Sequence, residues 1–126
     1  MQFTQSISYP GTVDEVVAMY MTPAYLERRF GQFMVDGSST VSVEGERVSF
    51  AGTVRPELIP AAAARFVKSD LRVSFTEEWA TNEAGATSRT SVTVDGAPVS
   101  VEATSTLAPV EAGSVRDVTG NVSVRV

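Results

Sequence analysis

The run Leu71-Arg72-Val73-Ser74-Phe75-Thr76-Glu77-Glu78-Trp79 places a carboxylate where an alternating strand otherwise turns apolar residues to one side. Read with a period of two, Leu71, Val73, Phe75 and Trp79 share a face, and Glu77 is the one charge on that face of the strand. A carboxylate between Phe75 and Trp79 is partly desolvated, which favours its protonated form. From there it could orient a ligand hydroxyl or act as a general acid/base. The connection Thr81-Asn82-Glu83-Ala84-Gly85 leaves the parity open, however. A slip of one residue sets Glu77 opposite Arg89 as an ordinary surface ion pair.

Tyr20, Tyr25, Phe50, Phe75 and Trp79 suit the wall of an apolar pocket, with Glu77, Thr90, Ser88 and Ser105 as its few polar groups. The same aromatic residues equally suit plain core; in a fold built round a cavity, wall and core coincide.

Composition removes most other chemistry. The 126 residues contain no His and no Cys. Ser-His-Asp and Cys-His nucleophiles, imidazole or thiolate metal sites and disulfides are therefore excluded. Glu77 and Glu78 cannot chelate a metal together, because neighbours on a strand point to opposite faces. Lys68, the single lysine, lacks the serine three residues earlier that a Ser-Lys nucleophile needs. No Gly-rich phosphate loop or calcium-loop spacing occurs. No cofactor and no metal are expected. Arg28 and Arg29 fit the negative end of a helix better than a phosphate site. The net charge of −5 and the scattered cations argue against nucleic acid as a partner. No leader pattern or membrane-length apolar run is visible, so a soluble cytoplasmic protein is the expectation.

These side chains need a scaffold, and the sequence outlines one. Residues Gln2 to Tyr9 alternate as a strand. Thr12-Val13-Asp14-Glu15 fits a capping box, and Val13, Val16, Val17, Tyr20 and Met21 follow as one helical stripe. Thr22-Pro23 restarts the pattern as N-cap and first-turn proline, with Leu26, Phe30 and Phe33 as the second stripe and Gly31 as its stop. Helices this short are marginal alone and must be held by packing. Val41–Phe50 reads as a hairpin turning at Gly45-Glu46, with Val43 opposite Val48, Val41 opposite Phe50 and Glu44 opposite Arg47. A second hairpin turns at Asp95-Gly96, setting Val92 opposite Val99, Thr90 opposite Val101 and Arg89 opposite Glu102. Pro60 opens one short helix before the Leu71–Ala80 strand. Val115 to Val126 closes the chain, with Val118, Val122, Val124 and Val126 on one face. The order is a strand, two short helices, then about six strands in an antiparallel meander.

That order resembles the START-like superfamily, the helix-grip fold of polyketide cyclases, plant pathogenesis-related ligand carriers and lipid-transfer domains. FTQSISYPGTVDEVVAMYMTPAYLERRFG and RPELIPAAAARFVKSDLRVSFTEEW resemble, more narrowly, an actinobacterial family of unknown function within it. The likeness spans essentially the whole chain and rests on packing and turn motifs, none of them catalytic. It implies a single α+β domain over residues 1–126, with the two helices packed on a curved sheet of about seven strands. It also implies a long C-terminal helix closing a cavity, which this sequence lacks. Either the chain continues past Val126 or a partner, a second copy included, covers that face.

The leading expectation is a binder of a small hydrophobic molecule (a lipid, isoprenoid or aromatic metabolite) in a cavity on the concave face. A cyclase- or aromatase-like enzyme with Glu77 as proton handler is the second reading, with non-enzymatic action favoured. A protein-interaction module is the third.

Overall fold

The computed structural model describes residues 1–64 and 70–124. Lys68 and the last two positions of the chain, Val126 among them, lie outside those residues, as do the positions that follow the short helix after Pro60. Seven strands form one antiparallel sheet: β1 (Gln2–Tyr9), β2 (Thr40–Glu44), β3 (Arg47–Thr53), β4 (Arg72–Asn82), β5 (Gly85–Asp95), β6 (Val99–Val110) and β7 (Gly113–Val124). Their spatial order is β1-β7-β6-β5-β4-β3-β2, so the first strand pairs with the last and the rest is a meander. Helices α1 (Val13–Tyr20) and α2 (Pro23–Phe30) bridge β1 to the far edge strand β2, and α3 (Ala61–Ala64) precedes β4. The result is an α+β domain: an open, curved sheet with two short helices laid on one side.

Local chemistry explains the helix starts. Thr12 accepts the Glu15 N–H at 3.2 Å, and the Glu15 carboxylate accepts the Thr12 N–H at 3.0 Å, which completes the capping box. Val16 and Tyr20 are buried beneath α1, with Val13, Val17 and Met21 packed at the margin. Thr22 occupies the N-cap of α2, but its hydroxyl makes no cap. It donates back to the Ala18 carbonyl at 2.7 Å, so the two helices share one connecting residue. Gly31 does end α2, in a right-handed conformation that runs into a 3-10 turn, Gly31–Phe33. That turn leaves Phe33 45% exposed, so the second stripe buries Leu26, half-buries Phe30 and leaves Phe33 out.

The first hairpin has the expected register, Val43 opposite Val48 and Glu44 opposite Arg47, and Gly45 takes the positive φ of 59° that its turn requires. The second departs from expectation. Val92 pairs with Val101, Thr90 with Ala103 and Arg89 with Thr104. With a tight turn at Asp95-Gly96, Pro98 would sit inside β6, a central strand, where proline is disfavoured. The loop instead takes in Gly96–Pro98, and Thr93 pairs with Ser100. The expected Arg89–Glu102 pair is therefore absent: Glu102 accepts a hydrogen bond from Ser91 at 2.8 Å, and Arg89 lies opposite Glu78. Because the shift is by two residues, every side chain keeps its face.

Candidate functional site: a buried guanidinium and carboxylate under an aromatic lid

The ladder fixes which side chains meet. Glu77 pairs with Thr90 and Glu78 with Arg89, so Glu77 turns to the helix side of the sheet. Glu78 faces the other way, exposed, 3.6 Å from Arg47. On β7 the even-numbered positions share that inward face, and one of them is Arg116, 4% exposed beside a Glu77 that is 2% exposed. Among the described residues the inward face thus carries two charges, Glu77 and Arg116. The lone desolvated carboxylate expected from the sequence is half of an ion pair, Arg116 Nη2 to Glu77 Oε2 at 3.1 Å.

The pair spans three strand steps, from β7 over β6 and β5 to β4, or ~14 Å at the usual spacing. The arginine and glutamate side chains, each reaching toward the other, can meet over those strands only if the intervening side chains are small. They are Ser105 on β6 and Ser88 on β5, both buried. Arg116 Nε donates to Ser105 Oγ at 3.0 Å and Nη2 to Ser88 Oγ at 3.2 Å, and the two hydroxyls bond to each other. Glu77 is equally engaged: Oε2 accepts from Thr90 at 2.7 Å, and Oε1 accepts from the Trp79 indole at 3.0 Å.

Aromatic rings roof the network. Tyr20, from the last turn of α1, stacks on Trp79 with centroids 5.6 Å apart. The Arg116 guanidinium carbon lies 4.7 Å from the centroid of the Tyr20 ring and 4.9 Å from that of Trp79, a desolvated cation in contact with both rings. Tyr9 and Tyr25 meet Tyr20 edge-on, and the Tyr9 and Tyr20 hydroxyls are hydrogen-bonded. Burial raises the Tyr9 and Tyr25 phenols above their ordinary range, with Tyr20 adding to both shifts. For Arg116, burial pulls the guanidinium down, but the Glu77 carboxylate and Tyr20 outweigh it and leave the value raised.

Of the residues singled out in the sequence, Tyr20, Tyr25, Glu77, Trp79, Thr90 and Ser105 are brought together here. Phe50 and Phe75 are not. They belong to a second core cluster with Leu26, Met34 and Val48 under α2, where Phe30 contacts both at 5.2 and 5.1 Å. Arg116 and the Tyr9–Tyr20 contact escaped sequence reasoning. The signal for Arg116 was present, since it shares the parity of Val118, Val122 and Val124. Arg29, expected at a solvated helix end, instead lies 4.8 Å from the Phe30 ring and 5.4 Å from that of Tyr20. Among the described residues no group of three or more acidic side chains is placed to hold a metal ion, and no helix is long and apolar enough to cross a membrane.

The two helices cover only part of the inward face. Toward the start of β1 and the end of β7, Phe3, Val99, Val101, Ala103, Val118 and Val122 face the same side but remain half-buried or exposed. Phe3 is 36% exposed and Val124 63%. The Phe3 ring lies flat against the sheet because residue 120 is glycine; a Cβ there would collide with it. A separate groove of ≈ 640 Å³ opens at the other end of the sheet, between Thr12, Asn82, Pro109 and Gly113, and none of the singled-out residues lines it.

A family model described as "Protein of unknown function (DUF2505)" matches residues 4–126. The chain belongs to this family. Its architecture is similar to that of several solved structures. A conserved protein from Geobacillus kaustophilus aligns with a TM-score of 0.62 at 21% identity, over 99% of this chain and 75% of that one. TTHA0849 from Thermus thermophilus aligns with a TM-score of 0.62 at 14% identity, over 100% and 76%. CV1439 from Chromobacterium violaceum aligns with a TM-score of 0.59 at 14% identity, over 98% and 80%. At these identities the likeness is one of fold. No curated protein matches the DUF2505 chain in sequence.

Proposed function

We propose that this DUF2505 protein is a START-like binding domain that holds a small hydrophobic molecule, of lipid, isoprenoid or aromatic type, against the uncovered part of its inward face. The observation that carries this reading is the patch formed by Phe3, Val99, Val101, Ala103, Val118 and Val122, apolar and incompletely buried. Contiguous apolar surface of this kind marks binding more often than chance. The resemblance to the START-like superfamily supports the same side of the sheet as the binding side. Glu77 serves in this reading as an anchor of the floor. Three of the roughly four acceptor sites of its carboxylate are engaged by Arg116, Thr90 and Trp79, and the group is 2% exposed, which weighs against the cyclase-like alternative.

The test uses 8-anilinonaphthalene-1-sulfonate as an apolar fluorescent probe. The intact protein is expected to enhance its emission, and Val101→Asp with Val118→Asp to abolish the enhancement while the melting temperature stays within a few degrees. Equal enhancement by the double variant would place the probe elsewhere and remove the support for this site.

A further inference from the structure

The two edges of the sheet are built differently. β2 is five residues long and ends at Glu44, and α2 packs beside it. Charges and short length are the usual protections of a sheet edge against pairing with another chain. β1 has neither. It runs eight residues, Gln2–Tyr9, and its sequence QFTQSISY contains no charge and no proline.

The ladder shows which of its backbone groups are free. Met1 and Val122 exchange both N–H···O bonds, at 2.9 and 2.8 Å. Bonded and non-bonded pairs alternate along an antiparallel ladder. With Gln2 opposite Asn121 and Phe3 opposite Gly120, the odd residues of β1 therefore bond to β7. The N–H and C=O groups of Gln2, Thr4, Ser6 and Ser8 point to the open edge.

We propose that β1 pairs antiparallel with β1 of a second copy of this chain, about a two-fold axis at Gln5, joining the two sheets into one. Only this register pairs all four edge-facing residues with one another: Gln2 with Ser8 and Thr4 with Ser6, from both sides, for about eight backbone hydrogen bonds. It sets Phe3 of each copy beside Ile7 of the other on the inward face, and the two Gln5 side chains side by side between them. Uncharged polar residues meet on the outward face, so no like charges oppose each other across the seam. The contact is isologous and closes at two chains. It stands independently of the ligand reading, although it would bring the two uncovered apolar patches together across the seam.

Sedimentation velocity over a concentration series, with three variants, tests this. The wild-type protein is expected to shift from the mass of one chain to that of two. Gln5→Cys should form an intermolecular disulfide under mild oxidation, because opposed residues in a non-hydrogen-bonded pair have Cα atoms ~4.5 Å apart, within disulfide range. The chain has no other cysteine, so any cross-link reports that position alone. Ser42→Cys, on the other edge, should not cross-link. Ser6→Pro should abolish the dimer and keep the fold, since the Ser6 N–H points away from β7. Should that variant fail to fold, the contrast between Gln5→Cys and Ser42→Cys decides. A wild-type protein that stays monomeric at the highest concentration reached, a dimer that persists in folded Ser6→Pro, or equal cross-linking at positions 5 and 42 would each overturn the proposal.

Discussion

Strand β6 shows the two halves of the inward face in one element. At one end Leu107 is 1% exposed, in a cluster with Val16, Tyr20 and Trp79. At the other, Val101 faces the same side and is only half-buried. Both are inward by alternation, so the strand pattern treats them alike; what separates them is whether a helix lies above. Hydrophobic periodicity reports which way a side chain points, and burial also needs a neighbour on the far side. The covered half holds large and charged side chains locked together, Tyr20 and Trp79 around Arg116 and Glu77. Apart from Phe3, the uncovered half holds small and β-branched ones. A substitution should therefore have very different consequences according to the half it falls in.

The largest effect is expected at the ion pair. Arg116→Met strands the Glu77 carboxylate in a buried site and should cost about 3–5 kcal/mol, a drop of roughly 10–20 °C in melting temperature for a domain of this size. Replacing both partners, Glu77→Leu with Arg116→Met, should cost less than either single change, because no uncompensated charge remains. Calorimetry of the three variants measures the coupling; additive losses would mean that the two groups do not depend on each other.

The comparison within β6 comes next. Leu107→Ala should cost about 2–5 kcal/mol through transfer and cavity terms. Val101→Ala, six residues along the same face, should stay within about 0.5 kcal/mol, as expected where no packed shell is disturbed. Denaturant unfolding checks both, and equal losses would erase the distinction between the halves.

A smaller effect lies at the start of α1. Thr12→Ala removes the cap and should cost about 1 kcal/mol. The Thr12 backbone N–H, and after it the Thr12 side chain, hold the Glu15 carboxyl below its ordinary range. A group whose pKa is depressed on folding contributes stability above its unfolded pKa and loses it as pH falls through the folded value. The stability difference between wild type and Glu15→Gln should therefore be constant near neutrality and shrink as the pH falls below the ordinary carboxylate range. Thermal melts across that range detect it, and a difference that grew on acidification would have the wrong sign.

Much of this architecture was readable in the sequence, and for physical reasons. Capping residues, first-turn proline and apolar stripes are local signals, and they gave α1, α2 and the inward parity of β4. Gly45-Glu46 gave the first register because a two-residue turn leaves no slack. The second register is not legible from Asp95-Gly96, a strong turn signal, because its neighbour Pro98 is disfavoured inside a central strand and the loop widens to take it in. The parity of Glu77 was legible, whereas its partner was not. Arg116 lies 39 residues away and reaches Glu77 only because Ser88 and Ser105 are small. That is a condition on three strands at once, which no single window of sequence contains. Phe50 and Phe75 share the face of Trp79 but not its cluster: alternation gives the face, but the helix above each residue decides its cluster.

The most direct test of the divided face is an amide chemical-shift titration of the intact protein with 8-anilinonaphthalene-1-sulfonate. Shifts confined to Phe3, Val99, Val101, Ala103, Val118 and Val122, with Leu107, Ser88 and Arg116 unmoved, are the expected result. Shifts centred on the groove at Thr12, Asn82 and Pro109, or spread evenly over both halves, would contradict it.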